Sequence, residues 1–226
     1  MKKIILLAIM AACVLFGCTP SEKESLYNVH ETPKLVVFVY DITASTNAYT
    51  ILNEQHLTDL FHNVAFEGGG TFVSINIKSK SNQQDVRTIQ IPQIDTLRLT
   101  GNVYQRKKIM DENKNLLSKA QTAREDFLTH TKDLVTLDKN EKRSDVATAL
   151  RLAQVETDLD LYQDHDKYII IVSDLLDNVT TKGNNRVDFG DAKVILVRPN
   201  EKQQMVNATK LNVANSIDEA VRMISK

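Results

Sequence analysis

Six consecutive apolar residues, Leu35 to Tyr40, run into an acid and a series of hydroxyls in Lys34-Leu-Val-Val-Phe-Val-Tyr-Asp-Ile-Thr-Ala-Ser-Thr-Asn47. An apolar run of that length with no polar break predicts a strand buried on both faces of a parallel sheet. Asp41, Thr43 and Ser45 follow it at alternate positions, with a helical pattern beyond. In open α/β sheets, ligands bind in the crevice outside the carboxyl ends of the strands. The rest of the chain therefore has to be read for segments that deliver matching groups to that spot.

Downstream, Leu57, Leu60, Phe61 and Val64 mark one face of a helix, expected to start near Asn47 and to stop before Gly68-Gly69-Gly70. Thr71 to Ile77 alternates as a strand does, and Val86 to Ile91 reads as a second strand joined to it by a polar hairpin loop. From Val103 to about Leu137 the chain is helical in pattern and free of Gly and Pro. At 1.5 Å per residue this segment would span roughly 50 Å. Its first half, from Gln105 to Asn115, is nearly all charged or amide, so it reads either as a sheet-covering helix with a solvated overhang or as a projecting arm that binds a partner. Ser144 is the expected N-cap of the next helix, on the face Val146, Ala149, Leu150 and Ala153.

Lys167-Tyr-Ile-Ile-Ile-Val-Ser-Asp174 repeats the opening theme of an apolar strand ending in hydroxyl and acid. Ala192 to Val197 is another buried strand, and Asn212 to Ala214 a short edge strand. Ser216 with Glu219 has the form of a capping box before a last helix. Strands alternating with helices predict an α/β fold: a doubly wound, mostly parallel sheet with helices on both faces and a long inserted helix. His56 and His62 are six residues apart and form no facing pair. Asp158 to Asp166 lacks the Gly and closing Glu of a calcium loop and reads as a solvated turn.

The amino terminus has a different character. Met1-Lys2-Lys3 precedes an apolar run from Ile4 to Phe16, too short for the roughly 20 residues of a spanning helix and of the form of a secretory signal. Its ending, Leu15-Phe16-Gly17-Cys18, resembles the lipobox of bacterial lipoproteins. The alternative is an ordinary signal peptide that happens to contain a Cys. The lipobox resemblance implies cleavage before Cys18, acylation of that residue, and a membrane anchor in the bacterial cell envelope. Because Thr19 and not Asp follows the Cys, it also implies retention at the outer membrane. Residues 1–17 are then the signal and 18–33 a polar tether, leaving 34–226 as one domain with 103–138 as its long helical segment. On this reading Cys13 leaves with the signal and Cys18 is lipidated, so neither cysteine in the sequence serves a disulfide, metal or nucleophilic site. The formal charge of −1 becomes more negative without Lys2 and Lys3, which argues against a nucleic-acid partner.

Three segments carry a second resemblance. Asp41-Ile-Thr43-Ala-Ser45 is similar to the Asp-x-Ser-x-Ser of von Willebrand factor A (vWA) domains. Arg143-Ser-Asp-Val-Ala-Thr-Ala-Leu150 resembles that family's second metal loop, with Ser144 in the place of a Thr. Ile169 to Asp174 resembles its third, a strand ending in Thr-Asp. Thr43 and Ser144 keep the hydroxyl, whereas Leu175 stands where the family often has Gly. The resemblance implies a metal-ion-dependent adhesion site (MIDAS), in which Thr43, Ser45 and Ser144 bind directly and Asp41 and Asp174 act directly or through water.

The chemistry of the set agrees. Two carboxylates and three hydroxyls are hard oxygen donors, suited to a divalent cation such as Mg²⁺, with Mn²⁺ or Ca²⁺ also compatible, and not to zinc. Two acids only neutralise the ion, which stays electrophilic towards a carboxylate offered by a protein partner. No general base, nucleophile or leaving-group acid is evident, so the expectation is a binding module and not an enzyme. Two rivals stand beside it. One is a metal-free scaffold acting through its long helix. The other is a phosphoaspartate-type phosphatase, which would need a second acid where Thr43 stands.

Overall fold

The structure, a computed structural model, describes residues 32–42, 51–136, 142–177, 179, 186–199 and 205–225. The signal, Cys18 and almost all of the tether fall outside the described residues, as do Thr43 and Ser45.

Six strands form the main sheet: β1 (Lys34–Asp41), β2 (Gly70–Ile77), β3 (Val86–Ile91), β4 (Asp166–Val172), β5 (Lys193–Val197) and β6 (Lys210–Ala214). Their order across the sheet is β3-β2-β1-β4-β5-β6. All neighbours are parallel except β2 and β3, which form the antiparallel hairpin read from the sequence. This 3-2-1-4-5-6 order is that of a doubly wound α/β sheet, and the order reverses between β1 and β4. A minor parallel pair, Val187–Asp188 with Val206–Asn207, lies apart from the main sheet.

Strand alternation divides the core into two layers. Val36, Phe38 and Tyr40 face helices α1 (Glu54–Ala65), α2 (Val103–Thr136) and α4 (Ile217–Arg222). Leu35, Val37 and Val39 face helix α3 (Val146–Thr157) and the minor strand pair. β1 is therefore covered on both faces and paired along both edges, as its unbroken apolar run predicts.

Some boundaries differ from expectation. α1 starts at Glu54 and not near Asn47, because Asn53 caps it: the Asn53 side chain accepts from the His56 amide at 2.9 Å, and His56 Nδ1 accepts from the Asn53 amide at 3.2 Å. α3 is capped by Asp145 and not by Ser144, since the Asp145 Oδ1 accepts from the Thr148 amide at 3.3 Å. In the α4 cap Ser216 accepts from the Glu219 amide, but Glu219 turns to the amide of Asn215 and not to that of Ser216. The edge strand β6 is longer than expected, starting at Lys210.

Helix α2 covers the sheet only with its second half. Phe127 lies 5.6 Å from Phe61 of α1 and 5.4 Å from Phe72 of β2, ring centre to ring centre. Ala120, Thr131 and Leu134 are buried beside it, whereas from Val103 to Lys119 only Ile109 is. Among the described residues no helix is long and apolar enough to cross a membrane. Phe127→Ala removes the ring that pins α2 to both α1 and β2, and is expected to destabilise the fold by about 3–5 kcal/mol. Urea unfolding of the two proteins measures it.

Candidate metal centre

Asp41 is the last residue of β1 and the next on the Leu35-Val37-Val39 face, so its side chain points towards the α3 layer. It has no exposed surface. A carboxylate buried to that degree is costly unless it is hydrogen-bonded or paired with positive charge. One partner is Ser173, whose hydroxyl donates to Asp41 Oδ2 at 2.8 Å from just beyond the end of β4. That bond spans the point where the strand order reverses, the expected location of a ligand crevice in such a sheet.

The second loop reaches the same edge. The Ile42 amide donates to Ile77 O at the end of β2, and the Asp145 amide donates to Lys78 O at 2.8 Å, one residue further on. Ser144, immediately before it, is 1% exposed. Ser81 fastens this corner by donating to the carbonyls of Asn76 and Asp145. The third loop begins at Asp174, partly exposed, whose Oδ1 accepts from the Leu176 amide at 3.0 Å. Asp41, Ser144 and Asp174 thus stand at one edge of the sheet, on three converging segments. Thr43 and Ser45, the remaining members of the expected set, lie outside the described residues.

Two contributors were not singled out from sequence. Ser173 is one; its partner becomes evident only once β4 is known to lie beside β1. Asp177 is the other: its Oδ2 accepts from the Ala147 amide at 3.0 Å and its Oδ1 from the Val179 amide at 2.8 Å. A carboxylate on the first turn of α3 meets the positive end of the helix dipole. It ties the loop after β4 to the helix that follows Ser144.

Leu175 resolves the departure noted in the sequence. Its φ is 60°, the left-handed conformation that glycine adopts at no steric cost. The side chain is nonetheless buried in the α3 layer, and its amide donates to the Ser173 hydroxyl at 3.0 Å. Burial of the leucine offsets a strained backbone of about 1–2 kcal/mol. The loop takes the shape that a glycine would give it.

Tyr40, next to Asp41, has its phenol pushed above the usual range of about 10. Burial is the main cause; the Leu52 amide, which donates to the phenol oxygen at 3.2 Å, opposes it, and the Asp41 charge adds to it.

Among the described residues, Asp41, Ser144 and Asp174 offer oxygen donors at this edge, the chemistry a hard divalent cation requires. Among the described residues no three His, Cys, Asp or Glu side chains gather into a metal-binding group. A set of two acids and three hydroxyls is of a different composition. A polar cavity of about 570 Å³ is at the opposite edge of the sheet, lined by both acids and bases, among them Asp158, Asp188, His165, Lys167 and Lys193. Burial holds His165 below its usual pKa there, with the Asp164 charge opposing and that of Lys167 assisting.

No protein-family model and no curated protein matches the chain. Solved structures similar to it include a von Willebrand factor type A protein from Catenulispora acidiphila, at 11% identity and a TM-score of 0.49, covering 86% of this chain and 42% of that one. The pilus adhesin SpaC from Lactobacillus rhamnosus GG, in an open conformation, is similar at 10% identity and a TM-score of 0.45, over 88% of this chain and 30% of that one. Manganese-loaded Plasmodium vivax TRAP protein is similar at 12% identity and a TM-score of 0.40, over 87% of this chain and 73% of that one. This chain spans less than half the length of the first two.

Three outcomes follow from the geometry at this edge. Leu175→Ala should cost about 2–4 kcal/mol through the lost side chain. Leu175→Gly should be about 1 kcal/mol more stable than the alanine variant, the reverse of the order in ordinary helix or strand; thermal unfolding of the three proteins measures both. For Tyr40, the folded phenol binds its proton more tightly than the unfolded one. Its contribution to stability is therefore complete below about pH 10 and is lost as pH rises through the folded pKa. Tyr40→Phe should flatten the fall in stability above that pH, read from urea midpoints across the alkaline range.

Proposed function

We propose that this protein is a lipid-anchored component of a bacterial cell envelope whose vWA-like domain docks a protein partner through a divalent cation. The observation that carries this reading is the fully buried Asp41 carboxylate at the end of the central strand, with Ser144 and Asp174 brought to the same edge. In this reading Asp41, Thr43, Ser45, Ser144 and Asp174 hold the ion, with Mg²⁺ favoured and Mn²⁺ or Ca²⁺ compatible. Bound there, the ion would supply an open coordination position to a carboxylate of the partner. Ser173 orients Asp41, and Asp177 fixes the loop after Asp174 against α3. Acylated Cys18 holds the domain to the membrane, at the outer membrane by the residue that follows it.

The site is proposed to bind and not to catalyse. A phosphoaspartate-type phosphatase would need an acid at position 43, where this chain has Thr. A metal-free scaffold is the second reading, supported by the long solvent-facing part of α2.

Calorimetric titration with Mg²⁺ and Mn²⁺ tests the first reading. One site is expected, abolished by Asp41→Ala and weakened at least tenfold by Ser144→Ala. A folded sample that takes up no metal at millimolar concentration would sink the proposal. Partner capture that survives Asp41→Ala would favour the scaffold.

A further inference from the structure

The first half of α2 has no part in the metal site, and its few apolar side chains are mostly exposed. Val103, Met110 and Leu117 fall at i, i+7 and i+14, which places them in one stripe along the helix. They are 80, 59 and 51% exposed. Arg106, Lys107 and Lys114, at three or four residues from Met110, flank that stripe. Of the two acids between Val103 and Leu117, Glu112 lies on the far side of the helix from Met110, whereas Asp111, four residues after Lys107 and three before Lys114, sits beside those cations. The result is an apolar line bordered by a net excess of cations.

Topology sets where this face points. The pairing of Gly70 with Lys34 and with Ile91 puts the end of β3 at the edge where β1 begins. From there residues 92–102 run outward and α2 returns, the two held together by Asn113, whose side chain bonds the amide and carbonyl of Leu97 at 2.7 and 2.9 Å. Ile109 and Leu97 are buried in this hairpin. Phe66, just past the end of α1, shares a small cavity with Leu117, whereas Glu54 at its start lies near Val135. α2 is therefore antiparallel to α1, and the fourteen residues before Leu117 extend beyond the amino edge of the sheet, by about 20 Å at 1.5 Å per residue. The chain also enters the domain at this edge, through Lys34.

Resting on the membrane-anchored reading above, we propose that the first half of α2 is a second membrane contact, a basic amphipathic arm that lies on an anionic phospholipid surface. Sixteen residues run from Cys18 to Pro33, and a flexible linker of that length would have a root-mean-square span of roughly 20–24 Å, the same as the overhang. An anchored domain therefore brings the arm to the lipid surface. Apolar residues with flanking Lys and Arg are the composition that binds an anionic interface. Self-association fits less well, because antiparallel pairing about Met110 would set Arg106, Lys107 and Lys114 against the same cations of a second copy. The anchor and the arm together fix the orientation of the domain, with the Asp41 edge turned away from the membrane.

The sequence contains no Trp, so Met110→Trp in the full chain gives a single fluorescent reporter. With Cys18 acylation verified by mass spectrometry, its emission should shift to the blue and be quenched by brominated lipid on vesicles of phosphatidylcholine with phosphatidylglycerol, and not on phosphatidylcholine alone. In a Cys18→Ala chain that also lacks residues 1–17, and so carries neither the signal nor an acyl group, the anionic vesicles should still quench it. In that unanchored chain, Arg106→Gln, Lys107→Gln and Lys114→Gln together should raise the lipid concentration for half-quenching by about a hundredfold, at roughly fivefold per cation. An unchanged spectrum on anionic vesicles, or an equal shift on neutral ones, overturns the proposal. So does a photoreactive group at position 110 that captures a polypeptide and not lipid. Quenching by anionic vesicles in a chain that lacks residues 1–17 and whose Cys18 carries no acyl group supports the arm and removes only the anchor.

Discussion

A carboxylate with no exposed surface at the end of an all-apolar strand is the constraint on which the rest of this molecule depends. Burying Asp41 is unfavourable in isolation, so the surrounding segments must supply compensation. Ser173 does so directly across the β1–β4 boundary. It can do so only because β4 lies parallel to β1 in a register that brings both carboxyl ends to one level, Tyr40 opposite Val172. The two strands are held in that register by the apolar layers above and below them. Sheet, core and site therefore stand on the same pairing.

The loops around that carboxylate are stiffened by short polar bonds in place of extra core. Ser81 joins the β2 end to Asp145, Asp177 joins the loop after β4 to α3, and Ser173 joins β4 to β1. Leu175 contributes differently, accepting a left-handed backbone while burying its side chain. A glycine there would be freer in the unfolded chain and would leave a gap in the α3 layer. The leucine yields the same turn with better packing, which explains how the loop keeps its shape without the residue usual to such turns.

The sheet was legible because its strands are short, apolar and interrupted by turn residues, and periodicity reports that directly. The start of α1 was not, because hydroxyls and amides from Thr43 to Asn53 offer several caps, and only the reciprocal bond with His56 selects Asn53. Ser144 and Asp145 posed the same difficulty at adjacent positions. Both residue types cap helices well, and the choice turns on which side chain faces Thr148. Ser173 and Asp177 escaped notice because each acts on a segment distant in sequence. The placement of Asp41, Ser144 and Asp174 at the carboxyl edge was legible because each ends or follows a strand or precedes a helix, positions that a linear reading can locate.

The two ends of β1 have a mechanical consequence. Lys34, buried at its start, donates to Glu67 of the turn after α1 and to the carbonyls of Asn63 and Ile224. Asp41 closes its other end. A pulling force applied between the residues before Lys34 and the carboxyl edge would run along the strand axis. Both flanking ladders, eight residue pairs with β2 and seven with β4, would then be loaded in shear, all their hydrogen bonds resisting at once. The same force across the sheet would open them one by one. If the domain is anchored and docked as proposed, held at one end of its central strand and engaged at the other, it would be loaded along its most resistant direction.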